Sequence, residues 1–304
     1  MRLIKILLAL TTSSVFLAWW FTYAIPANLA QDFLQLPLHV GVAAGAGLFL
    51  TYLLRGWRVC REFKEFPKMR FGAALRVVLW HNASVNVMPF RSGEVAFPWL
   101  LHRQFDISIT RATASLVWLR MQDICVVLML GIWVLGGMAL SMRVLLSLAL
   151  VCAAVFFAKW ATQKEPASLQ QWPWKYMNGV RQALAKSNAH SPEGWWITLA
   201  NWVIKLSVQA MLFAAFLQVN FQTGLAGTFG AELAAVTPLQ GVAGIGSYEA
   251  ASAAAMLPWN VDGSLGLHAA LLVHLLVLGC ALTGAALAGL VAALTSHPID
   301  DTVA

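Results

Sequence analysis

The sequence is poor in charge. Of its 304 residues 11% are charged and 60% hydrophobic, with mean hydropathy +0.70, whereas soluble domains carry about 25% charged residues. That deficit excludes an ordinary soluble domain and points to a polytopic membrane protein. No polar stretch is long enough for a separate soluble unit, so residues 1–304 read as a single integral membrane domain. Basic residues are absent from the last third, because every Lys and Arg lies between Arg2 and Lys205. Such a one-sided basic set, with net charge +7, fits loops facing anionic headgroups, and no basic helix with interleaved aromatics points to nucleic acid. Cysteine is scarce: Cys60, Cys125, Cys152 and Cys280 stand singly, without metal-ligand or redox spacing, and read as packing residues. No His-x-x-x-x-Asp pair, zinc-protease helix motif, phosphate-binding loop or nucleophile elbow occurs. No catalytic residue, metal ligand or cofactor is therefore assigned.

Tryptophan, by contrast, is abundant. Several of the fourteen, among them Trp19, Trp20, Trp57, Trp195 and Trp196, fall at the ends of apolar runs, where interfacial belts form. Arg2 and Lys5 precede an apolar stretch from Ile6 to Ile25, longer than the core of a cleaved signal peptide and long enough to span. A second span is expected over 38–54. Arg55, Arg58, Arg61, Lys64, Lys68, Arg70 and Arg76 then crowd what reads as one loop, cytoplasmic by the positive-inside rule, which puts the N-terminus on the same side. Further spans are expected over 112–137, 144–158, 195–219 and 265–294. The hydrophilic stretch 159–193, with Trp172, Trp174 and Tyr176, reads as an amphipathic cytoplasmic segment resting on the bilayer.

Two apolar stretches are broken. Residues 72–101 are interrupted by Asn86, Pro89, Arg91, Gly93 and Glu94. Basic loops on either side place both ends on one face of the membrane, and each arm is shorter than the roughly 20 residues a span needs. A re-entrant hairpin with Pro89–Glu94 at its tip is the better reading. Residues 226–257 are broken by Pro238, Gly241, Gly244 and Gly246, with Glu249 following. Broken hairpin followed by long helix occurs twice, at 72–137 and 226–294, and if 195–219 crosses outward, the parity of the spans makes the second an inverted copy of the first. The expected fold is all-α, with about six full spans and two re-entrant hairpins.

Transporters place their sites near the midplane, between broken segments of inverted halves. Ionisable groups at that depth line a polar path or form buried pairs. Arg120 and Asp123 are three apart in the helix after the first hairpin, on one face. Arg91, with the amides of Gly241, Gly244 and Gly246, suits an anion; Glu94 and Glu249 would gate it or carry protons. Lys205 either touches the substrate or neutralises Glu232 or Glu249. The alternative is that Arg91–Glu94 and Arg120–Asp123 are internal salt bridges holding the bundle together. His268 and His274 read as packing or interfacial residues.

Asn86-x-x-Pro89-x-Arg91-x-Gly93-Glu94, followed by Arg120-x-x-Asp123, resembles the transmembrane region of the lysylphosphatidylglycerol synthase family. Pro238-x-x-Gly241-x-x-Gly244-x-Gly246-x-x-Glu249 is similar to that family's second signature. The likeness covers roughly residues 5–295. The family commonly carries an arginine shortly after the first glutamate, where this chain has Val95-Ala-Phe-Pro98, and its Pro-Gly-Gly is here Pro238-Leu-Gln-Gly241. The resemblance implies a flippase-like, multi-pass protein of the bacterial inner membrane that binds and moves an anionic phospholipid or lipid-linked intermediate. Full synthases add a soluble aminoacyl-transferase domain; these 304 residues hold no such segment, so lysyl transfer is not expected of them. Two other readings stay open: a non-transporting partner of a lipid-modifying enzyme or glycosyltransferase, and a membrane enzyme acting on a lipid-linked phosphate. Association with such an enzyme, or with a second copy of the chain, is compatible with both.

Overall fold

The computed structural model describes residues 11, 14, 18, 29–134, 137–162, 178, 181–182, 192–236 and 241–295. Within them the protein is helical, with no strand. The helices are α1 (Leu29–Gln35), α2 (Leu38–Glu62), α3 (Phe71–Val87), α4 (Ala96–Phe105), α5 (Ile109–Val134), α6 (Leu140–Thr162), α7 (Pro192–Leu217), α8 (Phe221–Val236), α9 (Ser247–Met256) and α10 (Gly263–Thr295). Five of them, α2, α5, α6, α7 and α10, are long and apolar enough to cross a membrane, which makes this a multi-pass membrane protein. Most of the expected first span, 4–25, and most of the surface segment 159–193 lie outside the described residues.

Both broken stretches fold as two short helices joined by irregular backbone. Pro89 ends α3: Met88 before it is extended, at φ −78° and ψ 133°, as the residue preceding a proline is driven to be. A 3-10 turn, Pro89–Val95, leads directly into α4. In the second stretch α8 stops at Val236, a 3-10 turn covers Val242–Gly244, and α9 begins after Gly246. The helices flanking each break have 17 and 10 residues in the first case and 16 and 10 in the second, so the arms of the two stretches match in length. The second arm begins at Phe221, five residues earlier than its apolar pattern suggests.

One expectation is corrected. The basic cluster after the second span is not all loop, because α2 runs on to Glu62 and carries Arg55, Arg58 and Arg61 on its last turns. Nothing between Tyr52 and Glu62 breaks a helix, and Arg58 is only 6% exposed. Part of what reads as a topological signal is therefore an interior polar face.

Packing closes a ring: α2 on α3, α3 on α10, α10 on α9, α9 on α8, α8 on α7, and α7 back on α2. Lipid tails are as apolar as leucine, so such contacts depend on close backbone approach rather than on hydrophobicity. Gly230 of α8 is one place where this is absolute; a Cβ there would stand 2.3 Å from the carbonyl oxygen of Ala251. Phe63, Val77, Phe97 and Leu101 fill the space under the first hairpin, and Leu48, Leu212, Phe213 and Met256 the space under the second. The loosely attached α6 meets α5 through Trp118 stacked on Phe157 and an indole hydrogen bond from Trp133 to Ser147.

Candidate functional site

The tip of the first hairpin is built by its backbone. Arg91 takes left-handed geometry, φ 54°, which costs a non-glycine residue free energy and aims its side chain across the tip. Gly93 lies so close to α3 that a Cβ would stand 2.2 Å from the carbonyl oxygen of Ser84. The turn is thereby pressed onto the helix it leaves, and Glu94 is brought beside His81 of α3, 3.1 Å from its Nε2.

Glu94 is the hub of the first half of the site. Its carboxylate accepts from Arg91, from His81 and from Arg120 of α5 at 2.9–3.0 Å. Arg120 also reaches Asp123, one turn on, at 3.2 Å. Asp123 in turn accepts from Arg58 of α2 at 2.7 Å and from the indole of Trp202 on α7 at 3.1 Å. Arg58 spends its other terminal nitrogen on the carbonyl of Leu119 and the side chain of Gln122. Arg55, one turn before it, donates to Asn82 at 3.0 Å. Arg55, Arg58, His81, Asn82, Arg120 and Asp123 all line one cavity of about 50 Å³. Three guanidinium groups, Arg55, Arg58 and Arg120, thus face one carboxylate, Asp123, in its lining, with the Arg91–Glu94 pair joined to it through Arg120, leaving the pocket with an excess of positive charge. The buried Nε atoms of Arg58 and Arg120 have no hydrogen-bond partner among the described residues.

The second half is carboxylate-rich. Lys205 of α7 pairs with Glu232 of α8 at 2.5 Å, and Gln209 donates to the same carboxylate at 3.0 Å. Of the two partners open to Lys205, the fold selects Glu232. Glu249, fully buried, accepts from the backbone N–H of Gly246 through one oxygen and meets Nδ1 of His274 with the other, both at 2.7 Å. The ring of Tyr248 stacks on His274 at 4.2 Å.

The halves are joined. Arg91 donates across the gap to the carbonyl of Ala235 at the end of α8, and Lys205 sits 4.9 Å above the Trp202 ring that serves Asp123. A polar path therefore runs from the first tip through α5 and α7 to α8. Arg91, Glu94, Arg120, Asp123 and Lys205 all lie on it. Glu249 does not join the Arg91–Glu94 cluster but pairs with His274. Asn86 turns back to the carbonyl of Asn82 within its own helix, and Pro89 acts by ending α3. The N–H groups of Gly244 and Gly246 are already engaged, to Gly241 and Glu249 respectively, so these two amides are not free for an anion in this conformation. Pro238 lies outside the described residues.

Several members escape a reading of the sequence. Arg55 and Arg58 hide in a cluster that looks like loop charge, although their spacing of three continues the helix before them. His81, Trp202 and His274 are single polar or aromatic residues in apolar runs, and their partners lie 13, 79 and 25 residues away. His268, expected to pack, meets Asp32 of α1 at 2.8 Å.

No curated protein matches the chain. The family model described as the lysylphosphatidylglycerol synthase TM region matches residues 3–284, a span that takes in both broken hairpins and every charged residue of the polar path. The chain belongs to the family of the lysylphosphatidylglycerol synthase transmembrane region.

Proposed function

We propose that the protein binds an anionic phospholipid, or a lipid-linked anion, and moves its headgroup across the inner membrane. The observation that carries this reading is the excess of guanidinium groups in the pocket under the first tip. Arginine matches phosphate and carboxylate oxygens in pairs, and charge at membrane depth is costly unless it is compensated. An incoming anion supplies the acceptors that the Nε atoms of Arg58 and Arg120 lack. It also competes with Glu94 for Arg120, and so loosens the tip that Glu94 holds.

At about 50 Å³ the cavity is small beside the roughly 300–1,000 Å³ of a ligand pocket. The present arrangement is accordingly a closed one in this reading, and the two tips act as re-entrant gates that part to admit the headgroup. Arg91, held by Glu94 and the Ala235 carbonyl, is the strap between them.

The test is movement of a fluorescent phosphatidylglycerol between leaflets in vesicles containing the purified protein. Wild-type protein is expected to accelerate it, and Arg120→Ala and Arg91→Ala to slow it at least tenfold, on the order of 1.4 kcal/mol. Wild-type rates in both variants would sink the assignment.

A further inference from the structure

The Glu249–His274 pair has no part in the anion pocket, yet it is the most enclosed ion pair among the described residues: Glu249 is 0% and His274 7% exposed. The Oε2 atom of Glu249 is committed to the N–H of Gly246 and Oε1 to His274 Nδ1. The ring's other nitrogen, Nε2, faces the break in the second hairpin, since a Cβ on Gly244 would stand 3.7 Å from it and 3.5 Å from Cε1. Ala243, Gly244 and Gly246 all have left-handed backbone, at φ 56°, 76° and 93°. Irregular backbone therefore lies over a free imidazole nitrogen like a cover.

Charge accounting shows what that nitrogen can hold. Glu232, on the neighbouring α8, is already matched by Lys205. With Glu249 ionised and His274 neutral, Nδ1–H donating to the carboxylate, one negative charge is left sealed and unmatched. A proton on Nε2 makes the pair an imidazolium–carboxylate with no net charge, which is the tolerable state of a buried carboxylate. Of the elements packed against the break, the first tip carries Arg91 and Glu94 and α3 carries Arg76 and His81. Arg91 and His81 are both tied to Glu94.

Buried polar atoms without partners occur on the helices around the pair. The Tyr248 hydroxyl, stacked beside His274, lies within electrostatic reach of both Glu232 and Glu249. Neither it, nor Gln209 Oε1, nor Ser252 Oγ has a hydrogen-bond partner among the described residues, and all three are buried. Buried polar atoms of this kind are served by ordered water, and water files conduct protons.

We infer that Glu249 and His274 form a proton-binding site, and that filling and emptying it is coupled to movement of the headgroup. The coupling rests on the translocation reading above; the proton site does not. Uptake places H⁺ on Nε2 of His274, and release returns it from the same atom when the 241–246 break lifts. The Glu249–Gly246 bond that starts α9 ties the state of the pair to the position of that break, and Arg91 ties the break's helix α8 to the first tip. A proton moving with a singly charged anion makes the transfer electrically neutral.

The experiment uses the full chain in vesicles with fluorescent phosphatidylglycerol, with and without an imposed pH gradient, together with the ¹⁵N signal of His274 in the same purified protein. A gradient is expected to change the rate several-fold. His274→Gln and Glu249→Gln are expected to lose that response, whereas His268→Gln, on the same helix but paired elsewhere, keeps it. The ¹⁵N spectrum is expected to show His274 protonated on both ring nitrogens in the wild-type protein and on one only in Glu249→Gln. Lipid movement that ignores the gradient overturns the coupling and leaves the translocation reading standing. Absence of lipid movement with a doubly protonated His274 overturns the translocation reading and leaves the proton site standing. A wild-type ring that carries no proton on Nε2 overturns the site itself.

Discussion

Asp123 is the most exacting point at which to test the electrostatic organisation. Its carboxylate takes Arg58 at 2.7 Å, Trp202 at 3.1 Å and Arg120 at 3.2 Å, and it is 9% exposed. Asp123→Ala leaves two guanidinium groups facing each other in a medium of low dielectric. Removing one partner of a buried pair costs about 3–5 kcal/mol, and Arg58 keeps Leu119 and Gln122 as acceptors, so about 3 kcal/mol is expected. Arg58→Met strands Asp123 less severely, because Arg120 remains, and about 2 kcal/mol is expected on the same basis. The double variant removes one charge of each sign and should cost less than the two singles together, with a coupling of about 2 kcal/mol, inside the range of roughly 0.5–3 found for contacting residues. The assay is reversible unfolding in mixed micelles, followed by tryptophan fluorescence. Single effects that add to within about 0.5 kcal/mol would refute the view that α2 and α5 are held by a shared charge.

Gly93→Ala is expected to destabilise by about 3 kcal/mol, the upper end for overpacking, because its Cβ meets the backbone of Ser84; an unchanged melting temperature would contradict the pressed-tip geometry. Lys205→Met should destabilise more than Lys205→Met combined with Glu232→Leu, since the single change strands a buried carboxylate; the same unfolding assay reads the difference. Asp262, in the exposed turn before α10, accepts from the Ser264 hydroxyl and from the amides of Ser264 and Leu265, which hold its carboxyl below the usual range. A depressed folded value means that the cap is in place above the unfolded value of about 3.9 and is lost as pH falls from there through the folded value. Amide exchange at the start of α10 should speed up across that window, and Asp262→Asn should remove the dependence.

How much of this could be read beforehand divides by distance along the chain. The two breaks are legible because proline and glycine act on their own backbone: Pro89 sets Met88, and Gly246 admits the geometry that starts α9. The Arg120–Asp123 contact follows from helical spacing alone. What a single sequence hides is the partner of each buried charge. Asp123 is matched chiefly by Arg58, 65 residues earlier, and Arg58 looked like solvent-facing charge because it stands among arginines and lysines that are. The acceptor for Arg91 is a backbone carbonyl, which leaves no mark in residue type. His274 looked like a packing residue because its partner sits across a helix interface rather than one turn away.

The Arg91–Ala235 contact joins residues 144 apart, and that separation has a meaning in time. Chains emerge at roughly 5–20 residues per second, so the first tip is made about 7–30 s before its acceptor exists. Through that interval Arg91 sits at the bilayer with Glu94 alone, then with the Glu94–Arg120 pair once α5 follows. The ring of helices cannot close until α10 arrives to meet α3. Assembly of this protein is therefore a sequence of provisional charge pairings, each confining an arginine until the next helix is made, and a stalled or shortened chain leaves the first tip with its strap untied.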